Sequence, residues 1–398
     1  MLFFYHQILG DRMVGFLKDV FICSLGAYGG PEAHISVFSH QLVNKKKHIK
    51  EEELIELLAL CSVLPGPTST QTIVSVGYKV GGAKLAVLTM IVWAMPIILV
   101  MTALSFLYQF LAARDLSYDL LRYISPMAVG FIIIAAFRIG RKVTTDALTA
   151  SLLIFGAVVT YFIRTPWIFP AVLITGGLMS IVASKEKQLW NRVKLNPPWI
   201  FLLVFAGVAL GSIVLATIFD NRLILLFERF YRYGYLVFGG GQVVVPVMHS
   251  ELVYVNQLMT NQEFLTGYGL VQGMPGPMFS FSAYAGGMAA RDGSALLQIV
   301  GALSGGIAIF LPGLLLIFFV LPVWENLKKI NGIRVSIRGI NAVAGGLIVA
   351  AAIILLRNNG LALDHAVVTT VTVLLLMTRK IPPPLIVVAV IMAGYFLI

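Results

Sequence analysis

Polar side chains that could do chemistry gather at four places where this sequence interrupts its own helices. Thr68, Ser69, Thr70 and Gln71 follow directly on Pro65-Gly66-Pro67, and Glu32 and His34 follow Gly29-Gly30-Pro31. Gln242 follows Gly239-Gly240-Gly241, while Gln272 and Ser280 flank Pro275-Gly276-Pro277. Glycine removes the side chain that favours helix, and proline lacks an N–H and clashes with the preceding turn. A helix that restarts after such a break exposes unpaired N–H groups and the positive end of its macrodipole. Hydroxyls and an amide on the first turn add further donors. The four breaks and these side chains therefore form a candidate anion site that needs no lysine or arginine.

The breaks are copies of one another. Residues 29–77 align on 239–287 without a gap, keeping both Pro-Gly-Pro elements, the glycine runs, Val37/Val247, Leu42/Leu252, Glu53/Glu263 and Leu60/Leu270. The copies are not equivalent. Met278, Phe279 and Phe281 make the second lining more apolar, His34 aligns with Val244, and Glu32 aligns with Gln242. Most of the polar chemistry is thus expected from the first copy. Glu53 and Glu263 stand where acids cap a helix start, and His249 and Glu251 are expected at the outer interface.

The elements that must position these residues are membrane helices. Charged residues are 12% of the chain, against about 25% in soluble domains, and mean hydropathy is +0.90. Continuous apolar spans are expected at about 85–112, 123–138, 146–163, 167–183, 199–218, 294–320, 340–357, 366–378 and 385–398, near the ~17–25 residues of a crossing helix. Four further apolar stretches, roughly 14–43, 54–78, 223–250 and 264–287, are split by the breaks and read as broken or re-entrant hairpins. Simple kinked spans are the alternative. The fold expected is all-α and polytopic. The two cysteines, Cys23 and Cys61, offer no disulfide framework and no metal motif. No nucleophile–base motif or phosphate loop is present, so no enzyme, cofactor or metal is expected. The N-terminus shows no removable signal peptide.

The net charge of +11 fits basic cytoplasmic joints better than nucleic-acid binding. If the hairpins return to the side they came from, 21 of the 29 basic residues collect on one side. Lys45–Lys50 aligns with the uncharged Val255–Thr260, whereas the joint at 325–338 is more basic than its counterpart at 113–122. Each copy is basic where the other is not, so the copies are expected to be inverted in the membrane. Residues 1–195 form the first repeat, 196–221 a linking span that inverts topology, and 222–398 the second repeat. Inverted repeats with broken helices at the midplane are a recurrent transporter architecture. In that setting Glu32 is the first choice for proton coupling, because a carboxylate at membrane depth is costly unless paired or protonated.

The motifs resemble those of a known family. Tyr28-Gly29-Gly30-Pro31-Glu32-Ala33-His34 resembles the FGGPxAH signature of the chromate transporter (CHR) family, and Leu64–Gln71 resembles its PGPxxxQ motif. Phe238–Gln242 and Met274–Pro277 resemble the corresponding elements of the second half, and Pro96 and Pro312 fit the long-chain, two-domain type. Tyr28 replaces the usual Phe, Ser62 stands where Gln is usual, and the joint at Lys45–Lys50 lacks a Trp. The resemblance implies a multi-pass protein of the plasma or inner membrane that exports chromate and confers metal resistance, with sulfate as the natural structural analogue. A sulfate or other oxyanion importer and a passive anion channel are the alternatives. The partners expected are the oxyanion and the lipid bilayer, with a homodimer left open and no nucleic acid.

Overall fold

A chain this apolar must satisfy its backbone polar groups internally, and helices do so within a single segment. The computed structural model describes residues 2–114, 120–163, 165, 167–186, 188–190, 193–238, 241–358 and 362–396, with side chains from residue 12 onward. Among the described residues the regular structure is helical throughout. The first half runs α1 (Leu2–Gly26), α2 (Pro31–Phe38), α3 (Glu51–Val63), α4 (Thr68–Ala112), α5 (Ile124–Val143), α6 (Ala147–Phe162) and α7 (Ile168–Val182). A linking helix, α8 (Trp199–Ile218), leads to the second half. There follow α9 (Arg222–Leu236), α10 (Val244–His249), α11 (Asn261–Gln272), α12 (Phe281–Ala289), α13 (Ala295–Ala308) and α14 (Leu311–Val320). The short α15 (Trp324–Leu327), α16 (Asn331–Asn358), α17 (Leu363–Thr378) and α18 (Pro383–Phe396) complete it.

Helices α4, α5, α8 and α16, with the run Ala295–Leu327, are long and apolar enough to cross a membrane. The protein is therefore an all-α polytopic membrane protein. Several expected boundaries differ, two of them for clear reasons. The stretch 54–78 and the span 85–112 are not separate, because α4 runs from Thr68 and only kinks at Gly81-Gly82, where Gly82 has φ +71°. The span 294–320 is divided instead, since Pro312 cannot continue the hydrogen-bond ladder and α14 restarts at Leu311.

The duplication extends to fine local structure. After α2 the helix widens into a π-helical turn, Ser39–Lys45, and after α10 the same happens at Ser250–Val255. Each turn leads into a joint with one left-handed non-glycine residue, Lys47 (φ +52°) and Gln257 (φ +49°), 210 residues apart. The His48 N–H donates to the Leu42 carbonyl and the Leu258 N–H to the Leu252 carbonyl, both at 2.8 Å. As expected, Glu53 and Glu263 cap the next helix, accepting from the Lys50 and Thr260 N–H groups at 2.8 and 2.7 Å. Each is also held by a base beyond the following break, Lys79 at 2.9 Å and Arg291 at 3.0 Å.

The halves interlock. Helix α16 packs against α5, α6 and α7, α17 lies on α5, and α12 lies on α4. Small residues permit this approach: a Cβ on Gly346 would lie 2.1 Å from the Leu153 carbonyl oxygen, so no side chain fits there. Helix α8 rests on α9 and α14, and its Leu203, Leu210 and Ile218 stay exposed, a surface suited to lipid.

Candidate anion-binding site at the helix breaks

The four breaks meet across the two halves. The Gly66 N–H donates to the Val237 carbonyl at 2.7 Å, and the Gly276 N–H donates to the Ala27 carbonyl at 2.8 Å. Subtracting 210 converts one bond into the other with the halves exchanged, so a two-fold relation links them. Both donors are glycines at positive φ, +120° for Gly66 and +84° for Gly276, a conformation that side chains resist. Each Pro-Gly-Pro tip thus gives one backbone donor to the other half, leaving fewer free donors than the sequence implied.

In the first half Gly29 and Gly30, at φ +88° and +92°, turn the chain so that Pro31 opens α2 without a side-chain cap. Pro65-Gly66-Pro67 does the same for α4, which starts at Thr68, again without a side-chain cap. His34 is buried, and its Nδ1 shares a 2.9 Å hydrogen bond with the Ser69 hydroxyl, tying the two helix starts together. The rings of Trp93 and His34 meet edge to face at 5.5 Å. The Trp93 indole N–H donates to the Thr70 hydroxyl at 3.0 Å. Gln71 is fully buried; its Nε2 donates to the Pro65 carbonyl at 2.8 Å, while its Oε1 has no partner among the described residues. That amide reaches the other half, because a Cβ on Gly313 of α14 would lie 3.2 Å from Nε2. Thr68 is half-buried and its carbonyl accepts from the Thr72 hydroxyl at 2.8 Å.

The second half is built on the same plan with fewer polar groups. Gly239 and Gly240 lie outside the described residues. Gly241 begins a tight turn against the Phe279 ring, and the Gln242 Oε1 accepts from the Tyr268 hydroxyl. After Pro275-Gly276-Pro277 the chain makes a 3-10 turn, Met278–Ser280, before α12, where the first half enters its helix directly. Among the described residues Gln272 Nε2 reaches the Met278 sulfur, at 3.5 Å. The Ser280 hydroxyl is buried without a partner among the described residues. Glu32 sits apart from these groups, exposed on the first turn of α2 and near enough to Arg138 for their charges to interact.

Two buried polar clusters behind the hairpins were not anticipated. In the first half Asp19 of α1 accepts from Gln41 Nε2 at 2.8 Å and contacts His48 Nε2 at 2.7 Å. In the second half Arg232 of α9 binds Glu228 at 2.5 and 3.1 Å and Glu251 at 2.8 and 3.2 Å. Arg229 adds Glu251 at 3.4 Å and Asn256 at 2.7 Å. His249 and Glu251 are buried within the protein, 3% and 4% exposed, because α10 and its π-helical turn face inward onto α9 and α16. The repeat itself held the missing signal. Asp19 aligns with Arg229 and Gln41 with Glu251, so the same helix-to-hairpin contact recurs with its charge reversed.

Comparison with known proteins agrees with this plan. The family model described as "Chromate transporter" matches residues 15–181 and again 224–395. A "Probable chromate transport protein" of Synechococcus elongatus is 26% identical over 82% of this chain and 81% of its own length. "Chromate transport protein" of Pseudomonas aeruginosa is 26% identical over 81% of this chain and 76% of its own. The protein of that name in Cupriavidus metallidurans is 26% identical over 81% and 77%. No solved structure was found to match the chain. With the family model fitting each half in turn around the paired helix breaks, this chain belongs to the chromate transporter family, whose members are membrane transporters and not enzymes.

Proposed function

We propose that this chain is a secondary transporter exporting chromate, or a similar tetrahedral oxyanion, with the anion held at the helix starts beside the four breaks. The observation that carries this is unused hydrogen-bonding capacity at the breaks. Among the described residues, α2 and α4 begin without side-chain caps, the Ser280 hydroxyl is buried without a partner, and the Gln71 amide is only half satisfied. Buried polar groups are normally paired, and a ligand with its water would complete these. His34, Ser69 and Thr70 belong to the first-half wall, and Gln242, Gln272 and Ser280 to the second. The charge bias of the joints supports an inverted arrangement of 1–195 and 222–398, with α8 supplying the flip and alternating access arising from one half moving against the other. In a plasma or inner membrane that is negative inside, outward movement of a dianion gains about 2.3 kcal/mol per charge per 100 mV, which favours export. Glu32 is the group assigned to proton coupling.

The test is flux in proteoliposomes across a panel of oxyanions, with pH and membrane potential varied. Saturable chromate flux driven by an inside-negative potential, reduced in Ser69→Ala and in Gln71→Leu, is expected. Flux untouched by both substitutions rejects the site, and potential-driven currents that persist without a coupling ion at rates far above transporter turnover favour a channel. In Glu32→Gln an unchanged pH dependence of transport removes that residue's role.

A further inference from the structure

The two hairpins are fastened to their neighbouring helices at equivalent places by different chemistry. In the second half the fastening is Arg229 and Arg232 on Glu251, with guanidinium groups that stay charged at every physiological pH. In the first half the equivalent positions hold Asp19 and Gln41, and the remaining partner is His48 on the joint that follows the π-helical turn. Asp19 and His48 side chains are 6% and 13% exposed. We propose that Asp19 and His48 form a pH-operated latch on the first hairpin, closed as an ion pair when the imidazole is protonated and loosened when it is neutral, with no counterpart in the second half.

The surroundings leave the switching to this pair. From α1 the Cys23 thiol lies within reach of the Asp19 charge, and Lys18 is exposed. From the π-helical turn the facing group is Gln41, while His40 and Lys45 are exposed; from the joint it is His48, while Lys46, Lys47 and Lys50 are exposed. From α2 the acid Glu32 is exposed on the first turn, and His34 is bonded to Ser69; from α3 Glu51 accepts from the Ser39 hydroxyl at 2.9 Å, Glu52 is exposed, and Glu53 is held by the Lys50 N–H and Lys79. From α4 the contact to α1 is the Trp93 carbonyl, accepting from Ser24 at 3.0 Å. Among the described residues no other charged side chain bonds Asp19 or His48. The Phe16 ring meets the imidazole edge-on at 5.1 Å and shields one side of it. Histidine is the side chain whose ordinary charge change falls between about pH 5 and about pH 8. The helical hairpin thus released leads from Gly29-Gly30 to Thr68, so the latch sets the mobility of the first-half break, whatever its ligand.

Amide hydrogen exchange on the full-length protein in lipid, expressed as protection factors corrected for intrinsic rates, tests this without a transport assay. Protection of the His48 amide, bonded to the Leu42 carbonyl, is expected to fall severalfold from about pH 5 to about pH 8. Protection of the equivalent Leu258 amide should stay level. His48→Gln should level the first hairpin too. The triple variant Asp19→Arg, Gln41→Glu and His48→Leu, which places the second half's residues at these three positions, should hold it closed throughout and covers the case of a misfolded single variant. Constant wild-type protection at His48, a parallel change at Leu258, or a surviving pH dependence in the transplanted protein overturns the latch.

Discussion

Replacing Arg232 by methionine removes the centre of the second-half cluster while keeping most of its bulk. The guanidinium makes four contacts of 2.5–3.2 Å to two carboxylates. Side-chain exposure is 11% for Arg232, 9% for Glu228 and 5% for Glu251, so water cannot readily replace what is lost. Glu228 would be left without its arginine, and Glu251 would keep Arg229, at 3.4 Å. Breaking a buried pair on one side typically costs about 3–5 kcal/mol, a large part of the about 5–15 kcal/mol that holds a protein folded. The expected outcome is a steep loss of unfolding free energy in denaturant titrations of detergent-solubilised protein. Combining Arg232→Met with Glu228→Gln and Glu251→Gln should recover much of it, since neutral replacements of buried ion clusters are often tolerated. A single-variant loss below about 1 kcal/mol, the range of exposed pairs, would refute the claim that these charges are dry.

Other perturbations test the breaks and caps. Gly66→Ala must place a Cβ at φ +120° and 2.9 Å from the Gln71 amide nitrogen; it should destabilise by about 1–3 kcal/mol and lower transport, and a neutral result would show that the tip is not held as described. Thr260→Ala removes the side-chain acceptor for the Glu263 N–H and should cost about 1 kcal/mol by the same denaturant assay. Glu53 is held below the ordinary glutamate range by the Lys50 N–H first and then by Lys79. Because its folded pKa is lowered, its contribution is present above the unfolded value near about 4.3 and is lost as pH falls through the folded value. Glu53→Gln should therefore flatten the stability–pH curve only in that acid window, and flattening near neutrality would contradict the assignment.

What the sequence discloses depends on how local the cause is. The breaks at Gly30, Pro67 and Pro277 were legible because glycine and proline act on their own backbone and their immediate neighbours. The caps by Glu53 and Glu263 were legible because capping spans only three residues. The meeting of Asp19 with Gln41 and His48 was not, because it crosses 22 and 29 positions and depends on a π-helical turn that resets the hairpin's register. In the second half Glu251 lies on the equivalent turn, Ser250–Val255, and is likewise buried. Pairing of Gly66 with Val237 was hidden for another reason: it joins halves far apart in sequence through backbone atoms, on which side-chain patterns are silent.

That last pairing makes the chain a dimer fused into one polypeptide. Each tip is completed by a carbonyl of the other half, so a fragment ending before α8 would carry an unsatisfied Gly66 N–H and its mate an unsatisfied Gly276 N–H. Expressed alone, either fragment has reason to seek a copy of itself; expressed together, they have reason to find each other. Once fused, the two partners are free to diverge, one keeping hydroxyls and a histidine while the other turns to methionine and phenylalanine, because neither must any longer match itself.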